Sequence, residues 1–228
     1  MLNFYIYDSM KNILVLLFVI CSFFVFGQNQ SDIENKPVKI IKFDISSLMG
    51  DQVTNSSGIQ LGLEIELKDN LSFEQDLMYI FKYDRSYKRY FEITCENING
   101  IKSVSELRYY FKKDIEPKFT DIYMAPNLIL QYTNAIREEN DEYGTPNNYQ
   151  VNRFVFALHG KIGLQFALYK NLYLDISTGL GVRNISSNAI GKKSNNNNEH
   201  EFLYGKLYDN GSEWLISLTG SFRLGFKF

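Results

Sequence analysis

Two histidines are the side chains best suited to acid–base or metal chemistry in this 228-residue sequence. His159 lies two residues before Lys161 and could act as a general base if a serine and an acid approached it. His200 stands between Glu199 and Glu201, and these three side chains could contact a metal ion. The sequence around either histidine supplies no nucleophile and no further ligand. We therefore predict no catalytic residue, no metal site and no bound cofactor.

The charge balance and the cysteine count exclude other classes of function. The chain carries 24 Lys and Arg against 26 Asp and Glu, so its net charge of −2 gives no general attraction to nucleic acid. We predict no nucleic-acid partner. Two cysteines in a chain of this length exclude a disulfide scaffold and a structural zinc site built on a cysteine pair.

The N-terminus has the layout of a secretory signal peptide. A lysine follows Met10, and an uninterrupted apolar and small stretch runs from Ile13 to Phe26 before Gly27. This stretch of about 14 residues is shorter than the roughly 20 that a transmembrane helix needs. We predict a signal peptide over residues 1–27, with Met10 as a possible true start, and a short periplasmic segment over 28–37.

The rest of the chain, residues 38–228, alternates between apolar and polar side chains, the period of a β-strand with two different faces. The alternation is most regular in the segment from Trp214 to Phe228. The predicted strands cover about 38–48, 59–67, 71–82, 106–112, 122–132, 154–168, 172–183 and 214–228. The connections alternate between short (68–70, 113–120 and 169–171) and long (83–103, 134–150 and 186–213). This asymmetry predicts an all-β fold, an eight-stranded antiparallel up-and-down transmembrane β-barrel with its tight turns on the periplasmic side.

Three features indicate that the apolar face of these strands meets lipid. The strands are about 10 to 15 residues long, and roughly 9 to 11 tilted residues cross the hydrocarbon. The opposite face carries glycine and alanine, which a narrow eight-stranded interior needs. Aromatic residues gather near the strand ends, as in the girdles of membrane barrels. The predicted girdle consists of Tyr132, Phe154, Phe166, Trp214, Phe226 and Phe228.

Charged residues share the face opposite the apolar one, and acids and bases are nearly equal in number. Such charges are tolerated away from water when they pair with one another. We therefore predict a network of ion pairs that plugs a polar lumen. Its predicted members are Asp44, Glu64, Glu66, Glu74, Asp76, Glu106, Arg108, Lys161, Asp175, Arg183, Arg223 and Lys227.

The C-terminal segment from Leu218 to Phe228 ends on an aromatic residue and resembles the C-terminal signal of bacterial outer-membrane barrels. The chain after residue 27 is similar to small eight-stranded outer-membrane proteins of the OmpA/OmpX type. The segments 106–111 and 122–126 also resemble an uncharacterised family of such barrels. The resemblance implies a place in the bacterial outer membrane among its lipids, and recognition by the barrel assembly machinery through the strand ending in Phe228. It implies no activity.

The predicted function is a structural or surface-interaction role through long extracellular loops, with an extracellular partner that the sequence does not identify. Three alternatives remain open at this stage. One is an outer-membrane enzyme that modifies lipid or lipopolysaccharide and uses His159. Another is a soluble exported lipid-binding barrel whose apolar face points inward. The third is a small pore.

Overall fold

The structure, a computed structural model, describes residues 37–49, 57–81, 95–111, 121–140, 146–192, 199–202 and 205–228. The predicted signal peptide over 1–27 and the segment from 28 to 36 lie outside these ranges. Within the described ranges, no helix is long and apolar enough to cross a membrane.

The described chain is almost entirely β-strand. The elements in chain order are β1 (Lys39–Asp44), a short 3₁₀ helix (Ser46–Met49), β2 (Ser57–Lys68), β3 (Leu71–Phe81), β4 (Cys95–Tyr110), β5 (Asp121–Asn140), β6 (Pro146–Tyr169), β7 (Leu172–Ile190), β8 (Glu199–Phe202), β9 (Gly205–Tyr208) and β10 (Gly211–Lys227). Eight of the strands close into a barrel in the order β1-β10-β7-β6-β5-β4-β3-β2, and β8 and β9 form a separate two-stranded sheet. All paired strands are antiparallel. The predicted fold class, an all-β eight-stranded up-and-down barrel, is confirmed.

The first and last strands close the barrel. Ile41 lies opposite Phe226, and Asp44 lies opposite Arg223. The backbone N–H of Phe228 donates to the carbonyl oxygen of Lys39 at 3.1 Å, which continues the ladder to the last residue of the chain. Closure leaves the wall of the barrel without a free strand edge, the arrangement that a β-structure needs in a solvent that offers no hydrogen bonds.

Side chains alternate between the lumen and the outer surface along each strand. On β6, Lys161 and Gln165 are buried inside the barrel, whereas Ile162 is 61% exposed on the outside. The same alternation holds on β10, where Ser217 is buried and Ile216 is 64% exposed. The apolar face therefore points outward, which is the opposite of what the alternative of a soluble lipid-binding barrel requires.

The first strand is shorter than the predicted range 38–48, because β1 ends at Asp44 and the 3₁₀ helix over Ser46–Met49 follows it. Strands β4, β5, β6 and β7 instead extend farther than predicted at the ends joined by the long connections. The predicted loop over 134–150 is mostly strand, because β5 continues to Asn140 and β6 begins at Pro146. The predicted loops over 83–103 and 186–213 are likewise shortened, by the start of β4 at Cys95 and by the end of β7 at Ile190. These loop boundaries were wrong because the apolar alternation ends several residues before the backbone hydrogen bonds of the strands do.

Glycine makes room inside the narrow lumen. The ring of Tyr123 lies so close to Gly163 that a Cβ atom at position 163 would overlap the ring. A Cβ atom at position 62 would likewise overlap the carboxylate of Asp76. On the outer face of the same strand as Gly163, a Cβ added at Gly160 would meet no atom within 4 Å. Bulky inward side chains are therefore accommodated by a glycine on the neighbouring strand.

We predict that Gly163→Ala destabilises the barrel by about 1–3 kcal/mol, because the added methyl group overpacks the lumen against Tyr123. Gly160→Ala is the matched control and should leave the stability unchanged within about 0.5 kcal/mol. The measurement is urea unfolding of the refolded protein, followed by the fluorescence of Trp214, the single tryptophan. Equal unfolding midpoints for the two variants would show that the lumen is not tightly packed at Tyr123.

Candidate functional site in the barrel lumen

Three glutamates lie side by side across neighbouring strands on the lumen face. Glu64 on β2 is directly opposite Glu74 on β3, and Glu74 is directly opposite Glu106 on β4. All three side chains are buried. Like charges in direct cross-strand register repel each other, and burial raises the cost of each charge. The fold therefore requires cations at this level of the barrel.

Arg108 supplies the central positive charge. Its guanidinium lies 2.9 Å from carboxylate oxygens of both Glu74 and Glu106 and 3.3 Å from Glu64. It also contacts Asp175 on β7, across the lumen, at 2.5 Å. The guanidinium carbon lies 4.3 Å from the centre of the Tyr123 ring, a cation–π distance. One buried arginine thus joins four carboxylates on four different strands.

Lys42 on β1 adds a second cation on the same carboxylates. Its ammonium nitrogen lies 2.6 Å from Glu64, 2.9 Å from Glu74 and 2.5 Å from Asp175. The alternation of β1 places Lys42 on the lumen face. Its position links the first strand of the barrel to β2, β3 and β7.

Arg223 on β10 completes the compensation. Its guanidinium lies 3.2 Å from both Asp44 and Asp76 and 3.1 Å from Glu106, and it also pairs with Glu74. Lys161 on β6 pairs with Glu106 as well. We call this set the acid-rich network. Its members are Lys42, Asp44, Glu64, Glu74, Asp76, Glu106, Arg108, Lys161, Asp175 and Arg223.

Neutral donors satisfy further carboxylate oxygens. The Tyr110 hydroxyl donates to Glu64 at 2.5 Å, and the Tyr123 hydroxyl donates to Asp175 at 2.7 Å. Ser72 also donates to Glu64, at 2.5 Å. Sequence reasoning missed these donors, although their parity along β3, β4 and β5 places them on the lumen face. Buried charges are tolerated only when such hydrogen bonds accompany the ion pairs.

Nine of the twelve residues predicted for the lumen belong to the acid-rich network, and the other three lie elsewhere on the inner face. Glu66 accepts a hydrogen bond from the backbone N–H of Val38 at 3.3 Å, at the rim near the β2–β3 turn. Lys227 is half-buried near the end of β10 and makes no ion pair within the part of the chain that the structure describes. Arg183 is buried on β7, farther toward the long connections.

A second cluster lies near the long-connection ends of the strands. Asp209, between β9 and β10, has a fully buried side chain. Its carboxylate lies 2.6 Å from Arg137, 3.1 Å from Lys192 and 4.0 Å from Arg153. The Tyr149 hydroxyl donates to it at 2.8 Å. We call these five residues the Asp209 cluster, and the alternation gave no signal for it because Asp209 stands outside the strands.

A cavity of about 410 Å³ adjoins the acid-rich network on the side of the long connections. His159 lines this cavity, and its Nε2 lies 2.8 Å from the hydroxyl oxygen of Ser217. The sequence gave no sign of this serine, because β6 and β10 are not adjacent in the barrel. Nδ1 of His159 is buried and has no hydrogen-bond partner among the described residues. A serine–histidine–acid triad needs an acid on that nitrogen, so the triad is incomplete in the described part.

Among the residues that the structure describes, two groups of three carboxylates are close enough to hold a metal ion, and they share Glu74. They are Glu64, Glu74 and Asp175, and Glu74, Asp76 and Glu106. All of these carboxylates already contact lysine or arginine, so a metal ion would have to displace those cations. The arrangement is therefore that of an ion-pair network. The side chain of His200, in β8, lies outside the described side chains.

The predicted aromatic girdle occupies two levels of the outer surface. Tyr132 lies directly opposite Phe154. On β7, Phe154 lies opposite Ser186 and Trp214 lies opposite Asn184, two residues away, so the three aromatic residues are at a similar level. Phe226 and Phe228 lie at the other end of β10, 53% and 62% exposed, and Phe166 lies at the corresponding end of β6. Tyr109 and Phe111, which the sequence analysis did not assign to the girdle, form an edge-to-face pair with ring centres 5.8 Å apart at that end.

The separation of the two levels matches the thickness of a membrane. Twelve residues separate Phe154 from Phe166 on β6, and twelve separate Trp214 from Phe226 on β10. At about 3.3 Å per residue and a strand tilt of about 40°, twelve residues rise about 30 Å. Transmembrane barrels carry an apolar band about 25 Å tall with aromatic girdles at both boundaries.

No protein-family model and no curated protein matches this chain. Among solved structures, the chain is similar to Neisserial surface protein A at 16% identity, with 84% of this chain and 95% of that chain covered and a TM-score of 0.41. It is also similar to a major outer membrane protein from Thermus thermophilus at 12% identity, with 84% of this chain and 99% of that chain covered and a TM-score of 0.49. The barrel assignment rests on the closed strand order of this chain itself.

We predict that Arg108→Met destabilises the barrel by about 3–5 kcal/mol, because buried carboxylates lose their shared counter-ion. Lys227→Met, also on the inner face but outside the network, should change the free energy of unfolding by less than about 0.5 kcal/mol. Urea unfolding of the refolded proteins measures both.

Adding Asp175→Asn to Arg108→Met should restore part of the loss, because it removes one of the uncompensated charges. If Arg108→Met unfolds at the same urea concentration as Lys227→Met, the ion pairs of Arg108 do not stabilise the fold.

Proposed function

We propose that the protein is an integral outer-membrane β-barrel with a structural or surface-interaction role, and that its long connections face the outside of the cell. The observation that carries the proposal is the outward apolar face bounded by two aromatic levels. Ile162, Ile216 and Leu218 are 61%, 64% and 54% exposed. Monomeric soluble proteins rarely expose apolar patches larger than a few hundred Å², whereas lipid covers such a surface.

The fully buried acid-rich network supports a closed lumen rather than a pore. Opening a water-filled path would require the ion pairs of Arg108, Lys42 and Arg223 to part. Each of these cations contacts at least three carboxylates from different strands. The side chains of an eight-stranded barrel fill its interior in the same way.

The long strands support surface presentation. β5 continues eight residues beyond Tyr132, and β6 begins eight residues before Phe154. Eight residues extend about 26 Å along a strand, so Asn140 at the end of β5 and Pro146 at the start of β6 lie well beyond the level of Tyr132 and Phe154. Rigid scaffolds commonly carry their binding functions on the connections that join their strands.

Phe228 supports recognition by the barrel assembly machinery. Its side chain is 62% exposed on the outer surface, while its backbone N–H is used in closing the barrel against Lys39. The unpaired edge of β10 is available only before β1 joins it. We therefore propose that the machinery engages the strand ending in Phe228 before closure.

An enzyme acting on membrane lipid is less well supported. His159 and Ser217 are buried and face the lumen rather than the lipid. No acid is hydrogen-bonded to Nδ1 of His159 among the described residues, so the histidine lacks the orienting partner of known triads.

The test uses two epitope-tagged variants expressed in a bacterium with an outer membrane. A tag placed between Glu142 and Gly144 should bind antibody on intact cells, because it lies in the connection between β5 and β6. A tag at Lys170, in the β6–β7 turn, should bind antibody only after the cells are permeabilised. Labelling of the Lys170 tag alone on intact cells would show that the orientation is the reverse of the one proposed. Labelling of neither tag on intact cells, with both in the soluble periplasm, would overturn the proposal.

A further inference from the structure

The buried charges of the lumen are balanced in total but separated along the barrel. Seven acids and seven bases are buried among the residues that the structure describes: Asp44, Glu64, Glu74, Asp76, Glu106, Asp175 and Asp209 against Lys42, Arg108, Arg137, Arg153, Lys161, Arg183 and Arg223. Six of the seven acids lie in the acid-rich network, where they outnumber four bases. Of these fourteen side chains, the half of the lumen toward the long connections holds three arginines and one acid, Asp209. Glu213 on β10 is a second, half-buried acid in that half, and Lys102 and Lys192 are half-buried bases there, so bases outnumber acids among its described side chains.

The cavity of about 410 Å³ lies between the acid-rich network and this half of the lumen. Its wall includes Lys102, Lys161, Arg183 and Arg223, and the one acid among its described lining residues is Asp44. Asp44 is already held by Arg223 at 3.2 Å. The residues directly opposite Lys102 on the neighbouring strands are Met78 and Gln131, so no acid faces this lysine in the ladder.

The remaining wall fits a compact organic group. Val104, Ile129 and Val155 give the cavity apolar sides, and its volume falls in the range of small-molecule sites. His159 adds a buried ring nitrogen, Nδ1, with no hydrogen-bond partner among the described residues. Buried polar atoms are normally hydrogen-bonded, so an unsatisfied one at a cavity wall is a place for a ligand atom.

We propose that this cavity binds a small organic oxyanion, a phosphate or carboxylate carried on a compact apolar group. Arg183 and Lys102 would hold the anionic end, and His159 would add a hydrogen bond. The apolar sides would accommodate the rest of the molecule. The proposal rests on the lumen of the barrel and not on its location or its surface role, so it can fail while the proposed function stands.

The test is calorimetric titration of the refolded protein, in a zwitterionic detergent at low salt, with phenyl phosphate, benzoate, inorganic phosphate and phenol. Saturable binding of phenyl phosphate or benzoate is expected. Phenol, the neutral counterpart, should bind at least tenfold more weakly, because it lacks the charge that Arg183 and Lys102 would hold and hydrogen bonds to charged groups are stronger than neutral ones. Inorganic phosphate should also bind more weakly, because it leaves the apolar sides uncovered.

Arg183→Gln and Lys102→Gln should each weaken the binding of the anionic probes at least tenfold, whereas Lys227→Gln, outside the cavity, should leave it unchanged. Electrophoresis of unboiled samples establishes that each variant is folded. If Arg183→Gln does not fold, the effect of Lys102→Gln and the comparison of the anionic probes with phenol test the proposal. Absence of saturable binding, equal binding of phenol, or equal effects of Lys102→Gln and Lys227→Gln would overturn the proposal.

Discussion

The fold depends on the neutralisation of three adjacent glutamates inside the barrel. Glu64, Glu74 and Glu106 stand in direct register on β2, β3 and β4. Among the residues of these three strands, Arg108 supplies the positive charge that balances theirs. Further cations come from the first and last strands of the barrel: Lys42 lies on β1 and Arg223 lies on β10. Neutralisation and closure of the barrel are therefore the same event, because the charges are satisfied only when β1 and β10 are in place.

This dependence gives the network a role in specificity as well as in stability. Buried ion pairs contribute less net stability than well-packed apolar groups, because desolvation offsets the attraction between the charges. A shifted strand register would move the paired charges onto the lipid side, where a charge costs several kcal/mol. Arg108, which contacts four carboxylates, thus favours one register of β4 over its alternatives.

The outer surface follows the opposite rule from the lumen. Lipid accepts the apolar side chains at alternate positions, and the two aromatic levels mark where the lipid ends. The strands β5 and β6 continue beyond the level of Tyr132 and Phe154, where outward residues no longer need to be apolar. The polar stretch of β5 up to Asn140 was predicted as a loop for this reason. Apolar alternation reflects which environment each face of a strand meets. It therefore ends where the apolar environment ends, even if the strand itself continues.

The same distinction explains which parts of the lumen were predictable. Parity alone placed Asp175, Arg108 and Arg223 on the inner face, because each lies within an alternating segment. Partners were not predictable, because they meet across the lumen from strands that are distant in the sequence. The local sequence pattern therefore did not predict the contact between Ser217 and His159. It also did not predict the contacts of Asp209 with the arginines of β5 and β6.

The central claim is that the apolar face of a closed barrel lies in the outer membrane while its charges are paired inside. Separation of the membrane fractions, followed by electrophoresis of unboiled and boiled samples, tests it most directly. The account predicts that the protein is found in the outer-membrane fraction and that its mobility changes on boiling, as the folded barrel resists detergent until heated. A protein found in the soluble periplasm, with the same mobility before and after boiling, would contradict it.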